Sequence, residues 1–136
     1  MKILSLAGLL AVFCITGLGV QATAAEFSSI SLNDLKAAMA DGKVTLLDCN
    51  GTQTFSKLHI PGAIDFEANK DRLAELLPAQ KDALIVSYCG GGSCPKYKHG
   101  AEAAARLGYT KVKYFEPGIR GWSNAGENTE SVVNSR

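Results

Sequence analysis

Ala83-Leu84-Ile85-Val86-Ser87-Tyr88-Cys89-Gly90-Gly91-Gly92-Ser93-Cys94-Pro95 is the stretch on which the reading of the fold turns. Its first half is short, apolar and partly β-branched, bounded by a glycine run, and reads as a buried strand. Lys96 to Leu107 follows, rich in alanine, with Arg106 near its end and Gly108 beyond it. That composition predicts a helix with a glycine stop. Cys89 therefore stands at the end of a strand, on a glycine-rich loop, just before a helix. Glycines let successive backbone N–H groups turn to one side and form a concave nest for an anion. The helix dipole adds positive potential at the same place. Both effects favour the thiolate over the thiol, which points to Cys89 as a nucleophile. The bland alternative is a structural cysteine in a tight turn.

Working toward the N-terminus, three more segments carry the same alternation. Ser31 caps a helix through Met39, with Asp34 in its first turn and Gly42 as its stop. Lys43 to Cys49 reads as a buried strand, followed by an Asn50-Gly51 turn and a short helix or loop over Thr52 to Leu58. His59-Ile60-Pro61-Gly62-Ala63 is a rigid bend into a brief strand, Ile64 to Phe66. Asn69 is then expected to cap a helix that runs to Leu77 and ends at Pro78. Beyond the central loop, Lys111 to Phe115 reads as a last strand, and Pro117 to Trp122 as a turn into a short helix. Glu26 to Ile30 reads as a lead-in and Glu127 to Arg136 as a frayed polar tail.

Strands alternating with helices at this spacing imply an α/β fold, a central mostly parallel sheet with helices on both faces. Such sheets hold their sites outside the carboxyl ends of the strands. Cys49 and Cys89 both fall at expected strand ends and are expected on one edge.

The chain has 136 residues, with 14 Lys and Arg against 13 Asp and Glu. Residues 1–25 have the pattern of a secretory signal: Lys2, an apolar run from Ile3 to Val20, then small residues that allow cleavage after Ala24 or Ala25. The remaining residues, 26–136, suffice for one domain. Without Lys2 the basic and acidic counts are equal, which gives no footprint for nucleic acid or for a membrane surface after cleavage. Cys14 lies inside the apolar run. That leaves Cys49, Cys89 and Cys94, an odd count that suits working thiols better than a disulfide framework. Export, expected here to a bacterial periplasm, would permit a disulfide.

Five stretches, in order, resemble the rhodanese-like family: Leu47-Asp48, His59-Ile60-Pro61-Gly62-Ala63, Tyr88-Cys89 with its loop and helix, Leu107-Gly108-Tyr109 through Val112, and Gly118-Ile119 with Trp122. The resemblance spans nearly all of Ser31 to Gly126. It implies a rhodanese-like α/β fold and a sulfurtransferase in which Cys89 carries sulfane sulfur as a persulfide. The sulfur would come from a small anionic donor such as thiosulfate and go to a thiol or other thiophilic acceptor, with no cofactor and no metal. The residues agree with that chemistry. N–H groups of Gly90, Gly91, Gly92 and Ser93 suit an anion, and Lys96 lies just beyond them.

Three departures from the family pattern stand out. The loop carries no Arg or Lys within it. Asn50 stands where the family often has Arg, removing a salt bridge. The stretch from Cys89 to Gly108 is slightly longer than is common. Phosphatases on this fold need an arginine in an enlarged loop, and none occurs between Cys89 and Ala105.

Cys94 has two readings: a resolving or modulating thiol for Cys89, or a small buried residue at the helix start. The first supports an alternative function, a thiol–disulfide or sensing protein with a redox partner protein. A third reading is a non-catalytic binder of sulfur or soft metal, suggested by Cys89, Cys94 and His99, although that spacing is not a usual zinc pattern. Cys49 reads as a packed strand residue. Asp48 and His59 read as structural support: Asp48 accepts N–H bonds that hold a loop, and His59 hydrogen-bonds before the Ile60-Pro61 bend. Trp122 is expected in the core.

Overall fold

The computed structural model describes residues 26–132. The expected signal segment and Cys14 lie outside the described residues. Five strands form one parallel sheet: β1 (Ser28–Ser29), β2 (Val44–Asp48), β3 (Ile64–Asp65), β4 (Leu84–Tyr88) and β5 (Lys111–Tyr114), in the order β1-β5-β4-β2-β3. Between them run α1 (Leu32–Ala40), α2 (Thr52–Lys57), α3 (Phe66–Asn69), α4 (Leu73–Leu76) and α5 (Tyr97–Arg106), and α6 (Gly118–Asn124) follows β5. This is the expected α/β architecture.

The strands are apolar on both sides because helices cover both faces. On one face Leu46, Ile60, Val86 and Tyr88 pack with Leu35 of α1, Phe115, and Ile119 and Trp122 of α6. On the other, Leu47, Cys49, Ile85 and Cys89 pack with Phe66 of α3, Leu73 of α4 and Ala104 of α5. Alternate residues of one strand thus serve two cores, as the period of two in side-chain direction requires. Each large side chain so buried contributes about 1.5–3 kcal/mol.

Ser31 caps α1, its hydroxyl accepting the Asp34 N–H at 3.1 Å. The expected cap at Asn69 is not formed. Asp65 caps α3 instead, and Asn69 turns its amide back to the Asp65 carbonyl at 2.8 Å. Where one helix from Asn69 to Leu77 was expected, a 3-10 turn over Lys70–Arg72 leads into the single-turn α4, and α3 starts earlier, at Phe66, where the brief strand was expected to end. Asp65 won because its β-region backbone leads straight out of β3, whereas Asn69 is already the last residue of α3. Ser28 and Ser29, read as lead-in, form an edge strand on β5. The tail also departs from its expectation over the described part. Glu130 exchanges both backbone hydrogen bonds with His59 at 2.9 Å, and Trp122 Nε1 donates to the Asn128 carbonyl at 2.7 Å. Among the described residues, no helix is long and apolar enough to cross a membrane.

Candidate active loop at the carboxyl edge of the sheet

β2 and β4 pair in register, with Asp48 opposite Tyr88, so Cys49 and Cys89 leave the sheet together. The Cys49 N–H donates to the Tyr88 carbonyl at 2.8 Å. Both cysteines lie at the carboxyl edge, as expected, and both are buried; Cys89 is 2% exposed.

The loop after Cys89 turns sharply. Gly91 and Gly92 have φ of +105° and +63°, conformations in which a side chain is strained. The loop lies hard against the start of α6. A Cβ on Gly91 would stand 2.1 Å from the Pro117 carbonyl oxygen, and one on Gly118 only 2.3 Å from the Cys89 carbonyl oxygen. Gly91 and Gly118 are thus required by the contact between the two segments, and Gly92 by its backbone conformation.

That contact is hydrogen-bonded throughout. The Ile119 N–H donates to the Cys89 carbonyl at 2.9 Å and the Arg120 N–H to the Gly90 carbonyl at 3.3 Å. The Arg120 side chain adds Nε to the Gly90 carbonyl at 3.0 Å and a terminal guanidinium nitrogen to the Gly91 carbonyl at 2.8 Å. Carbonyls of the loop are therefore turned toward α6. The N–H groups of Gly91, Gly92 and Ser93 have no partner among the described residues. Arg120 is the residue that reading the sequence missed. The loop has no cation of its own, and one arrives from a segment distant in the chain. The signal available was the arginine inside Gly118-Ile119-Arg120-Gly121-Trp122, read there only for its glycines and tryptophan.

Cys94 folds back onto Cys89. The two sulfurs are joined as a disulfide with Cα atoms 6.5 Å apart, and Cys89 Sγ lies 3.1 Å from the Cys94 carbonyl oxygen. Cys94 is half-buried, Ser93 is exposed, and Pro95 begins the approach to α5. No side chain caps α5 at Lys96; the Lys98 and His99 N–H groups donate instead to the Pro95 and Lys96 carbonyls, both at 3.1 Å. Lys96 is exposed and lines a cavity of about 350 Å³ together with Cys49, Glu67 and His99.

Cys49 is held apart from this pair. Its sulfur is 3.2 Å from the Ser87 hydroxyl, which donates to the Tyr97 carbonyl at 2.7 Å. Burial pushes the Cys49 thiol up to about 11, against smaller opposing effects from Ser87 and Gly100. It is neutral at physiological pH. Gly100 of α5 lies directly over both residues, where a Cβ would meet Ser87 Oγ at 2.7 Å and Cys49 Sγ at 2.8 Å.

Asp48 is fully buried beneath the loop edge. Its Oδ1 accepts the Asn50 N–H at 2.8 Å and the Asn50 side-chain amide at 2.9 Å, and its Oδ2 accepts the Tyr88 hydroxyl at 2.7 Å. Asn50 therefore supplies neutral donors at the place where an arginine was missed. Burial raises the Asp48 carboxyl above its usual range, with those hydrogen bonds acting in the opposite direction. His59 Nδ1 is 2.7 Å from the Phe55 carbonyl, its ring stacks on Phe55, and its Nε2 is 3.6 Å from Glu130. It braces the bend and does not reach the loop. His99 is exposed on α5, and among the described residues no cluster of three or more His, Cys, Asp or Glu is placed to hold a metal.

The chain has measurable relatives. It is 37% identical over 87 residues to the HTH-type transcriptional regulator Rv0324 of Mycobacterium tuberculosis, a match covering 62% of this chain and 37% of that protein. The chain thus spans little more than a third of the regulator's length. It is 26% identical over 110 residues to the thiosulfate sulfurtransferase GlpE of Tolumonas auensis, covering 79% of this chain and 98% of that one. Among solved structures, the BH2092 protein from Bacillus halodurans superposes with a TM-score of 0.66 at 25% identity, over 78% of each chain. The family model described as the Rhodanese-like domain matches residues 31–125, which include every strand from β2 to β5, the loop and all six helices. On that match and on the fold, the chain belongs to the rhodanese-like domain family.

Proposed function

We propose that this protein is a sulfurtransferase that carries sulfane sulfur as a persulfide on Cys89. The observation that supports this most directly is the loop's hydrogen bonding. Its carbonyls are engaged by Ile119 and Arg120, while the N–H groups of Gly91, Gly92 and Ser93 stay unpaired among the described residues, beside Cys89. Such a set of donors stabilises an anion without a side-chain cation in the loop.

With Cys94 reduced away, the Cys89 thiolate attacks the outer sulfur of thiosulfate. The sulfur–sulfur bond of the donor breaks, and sulfite leaves with the bonding pair. The extra sulfur remains as Cys89–S–S⁻ and passes to a thiol or other thiophilic acceptor. The loop N–H groups, aided by the dipole of α5, hold the donor and the persulfide anion. Asp48 and His59 act at one remove, bracing the strand ends and the bend. No residue in this scheme needs a metal or an organic cofactor. The reading includes export to an oxidising compartment, in keeping with a disulfide-capable pair and the composition of residues 1–25.

Mass spectrometry of reduced protein treated with thiosulfate tests it. A gain of one sulfur atom on Cys89, lost on reduction and absent from Cys89→Ser, is the expected result. Undiminished transfer by Cys89→Ser would overturn it.

A further inference from the structure

Cys94 gives the loop a second sulfur in bonding contact with the first. We propose that Cys94 resolves the Cys89 persulfide within the same chain, so that the protein reduces sulfane sulfur to sulfide at the expense of a dithiol. This rests on the persulfide reading above and extends it with a second activity.

The geometry selects Cys94. Gly91 and Gly92, both at positive φ, reverse the chain and return Cys94 to Cys89. Cys49, the other cysteine at this edge, is buried, neutral and hydrogen-bonded to Ser87. Cys94 precedes the N-terminus of α5, whose dipole favours a thiolate there. Because the partner is tethered five residues away, its attack is intramolecular and outcompetes dilute thiols in solution.

The step balances. The Cys94 thiolate attacks Cys89 Sγ, the inner sulfur of the persulfide. The Cys89–Cys94 bond forms, and the bond from Cys89 Sγ to the outer sulfur breaks. The outer sulfur leaves with the bonding pair, takes the proton that Cys94 gave up, and departs as hydrosulfide. It is reduced, and the two cysteine sulfurs are oxidised. A dithiol reductant then attacks the disulfide at Cys94, the more exposed sulfur, since Cys89 is only 2% exposed. Cys89 is released as the thiolate that its loop stabilises, which makes it the better leaving group. The second thiol of the reductant displaces Cys94 and completes the cycle. Each turnover consumes one thiosulfate and one dithiol and yields sulfite, hydrosulfide, a proton and the oxidised dithiol.

The test is a single turnover under anaerobic conditions. Fully reduced, desalted protein is mixed with one equivalent of thiosulfate and no added thiol. Sulfite, sulfide and intact mass are followed together. The wild-type protein is expected to release sulfite and then sulfide, and to end two hydrogens below its reduced mass. Cys94→Ser and Cys94→Ala are expected to release sulfite and keep one added sulfur atom. Their sulfide release should slow by more than ~10-fold until dithiothreitol is supplied. If the wild type releases sulfite but keeps the added sulfur, with no sulfide and no disulfide, resolution by Cys94 is overturned and the sulfurtransferase reading stands. If neither the wild type nor the Cys94 variants release sulfite or gain sulfur, both fall. The wild-type readout alone decides the proposal should either variant fold poorly.

Discussion

The Tyr88 hydroxyl donates to Asp48 Oδ2 at 2.7 Å and accepts the Ile60 N–H at 3.0 Å, so one phenol ties the ends of β2 and β4 to the bend before β3. Both partners are fully buried. Removing that hydroxyl leaves a carboxylate short of a donor and an N–H without an acceptor. Tyr88→Phe is expected to lower unfolding free energy by about 1–3 kcal/mol, because stranded buried polar groups cost more than the bond itself contributed. Urea unfolding of the two proteins checks it. A loss below a few tenths of a kcal/mol would mean that water takes over both roles.

Asp48 also sets a pH dependence. Its folded carboxyl titrates above the usual value of 3.8, so the folded protein binds a proton that the unfolded chain has already released. Its contribution is then present in full below 3.8 and is lost as pH rises through the folded value. Asp48→Asn is expected to remove that component, flattening stability against pH above 3.8 relative to the parent. Thermal melts across that range give the answer.

Cys49 predicts the same sign at the alkaline end. The unfolded thiol ionises near 9.0, whereas the folded one resists to about 11. Stability from this group is complete below 9.0 and falls between 9.0 and 11, by on the order of 2 kcal/mol. Cys49→Ala should lack this alkaline loss, although it will be less stable at neutral pH through lost packing. A native-state alkylation series should also find Cys49 unreactive at neutral pH after the Cys89–Cys94 bond is reduced.

Gly118 tests the contact between α6 and the loop. It has φ +59°, and a Cβ there would sit 2.4 Å from the Gly91 nitrogen and 2.7 Å from the Gly90 carbonyl carbon. All three clashing atoms, with the Cys89 carbonyl oxygen, are backbone and cannot swing away. Gly118→Ala is expected to displace the loop and abolish thiosulfate-dependent sulfur loading while the sheet persists. Far-UV circular dichroism beside the loading assay separates the two effects.

Arg120 is a positioning residue. Arg120→Ala removes two side-chain hydrogen bonds from the loop carbonyls. Because Arg120 is exposed, the stability change should be small, while single-turnover sulfite release slows by about 10-fold, equivalent to 1–2 kcal/mol. Arg120→Lys should not rescue it, since an ammonium lacks the planar fork that spans two carbonyls. Full rescue by lysine would mean that only charge matters.

Much of the site was legible in the chain. Strand, glycine run and alanine-rich helix announce the Cys89 loop because each uses strong local signals: β-branching, absence of Cβ, and helix propensity. Asp48 and His59 were read as supports from their positions at a strand end and before Ile60-Pro61, and in the fold Asp48 meets Asn50 and Tyr88 while His59 meets Phe55. What escaped were relations between distant segments. Arg120 on the loop, Ser87 beneath Gly100 and the Tyr88 bridge all depend on register between elements, which no local window records. β1 escaped because two serines carry no strand propensity; only pairing with β5 makes them a strand. The helix cap moved from Asn69 to Asp65 for a similar reason, since β3 fixes where the chain can begin to coil.

The strand order also sets a timetable. Every contact across the sheet is parallel, and β1 meets β5, with Ser28 opposite Lys113, across most of the domain. β2 and β3 can associate early during synthesis, and β4 joins them once the loop before it is closed. β1 must wait, its hydrogen bonds to Tyr114 and Lys113 unmade, until the last strand has left the ribosome. Loop closure over that span is slow compared with local pairing. The sheet is therefore completed only once β5 is available, and a chain truncated before Lys111 would hold β4, the strand that leads into Cys89, as an unprotected sheet edge.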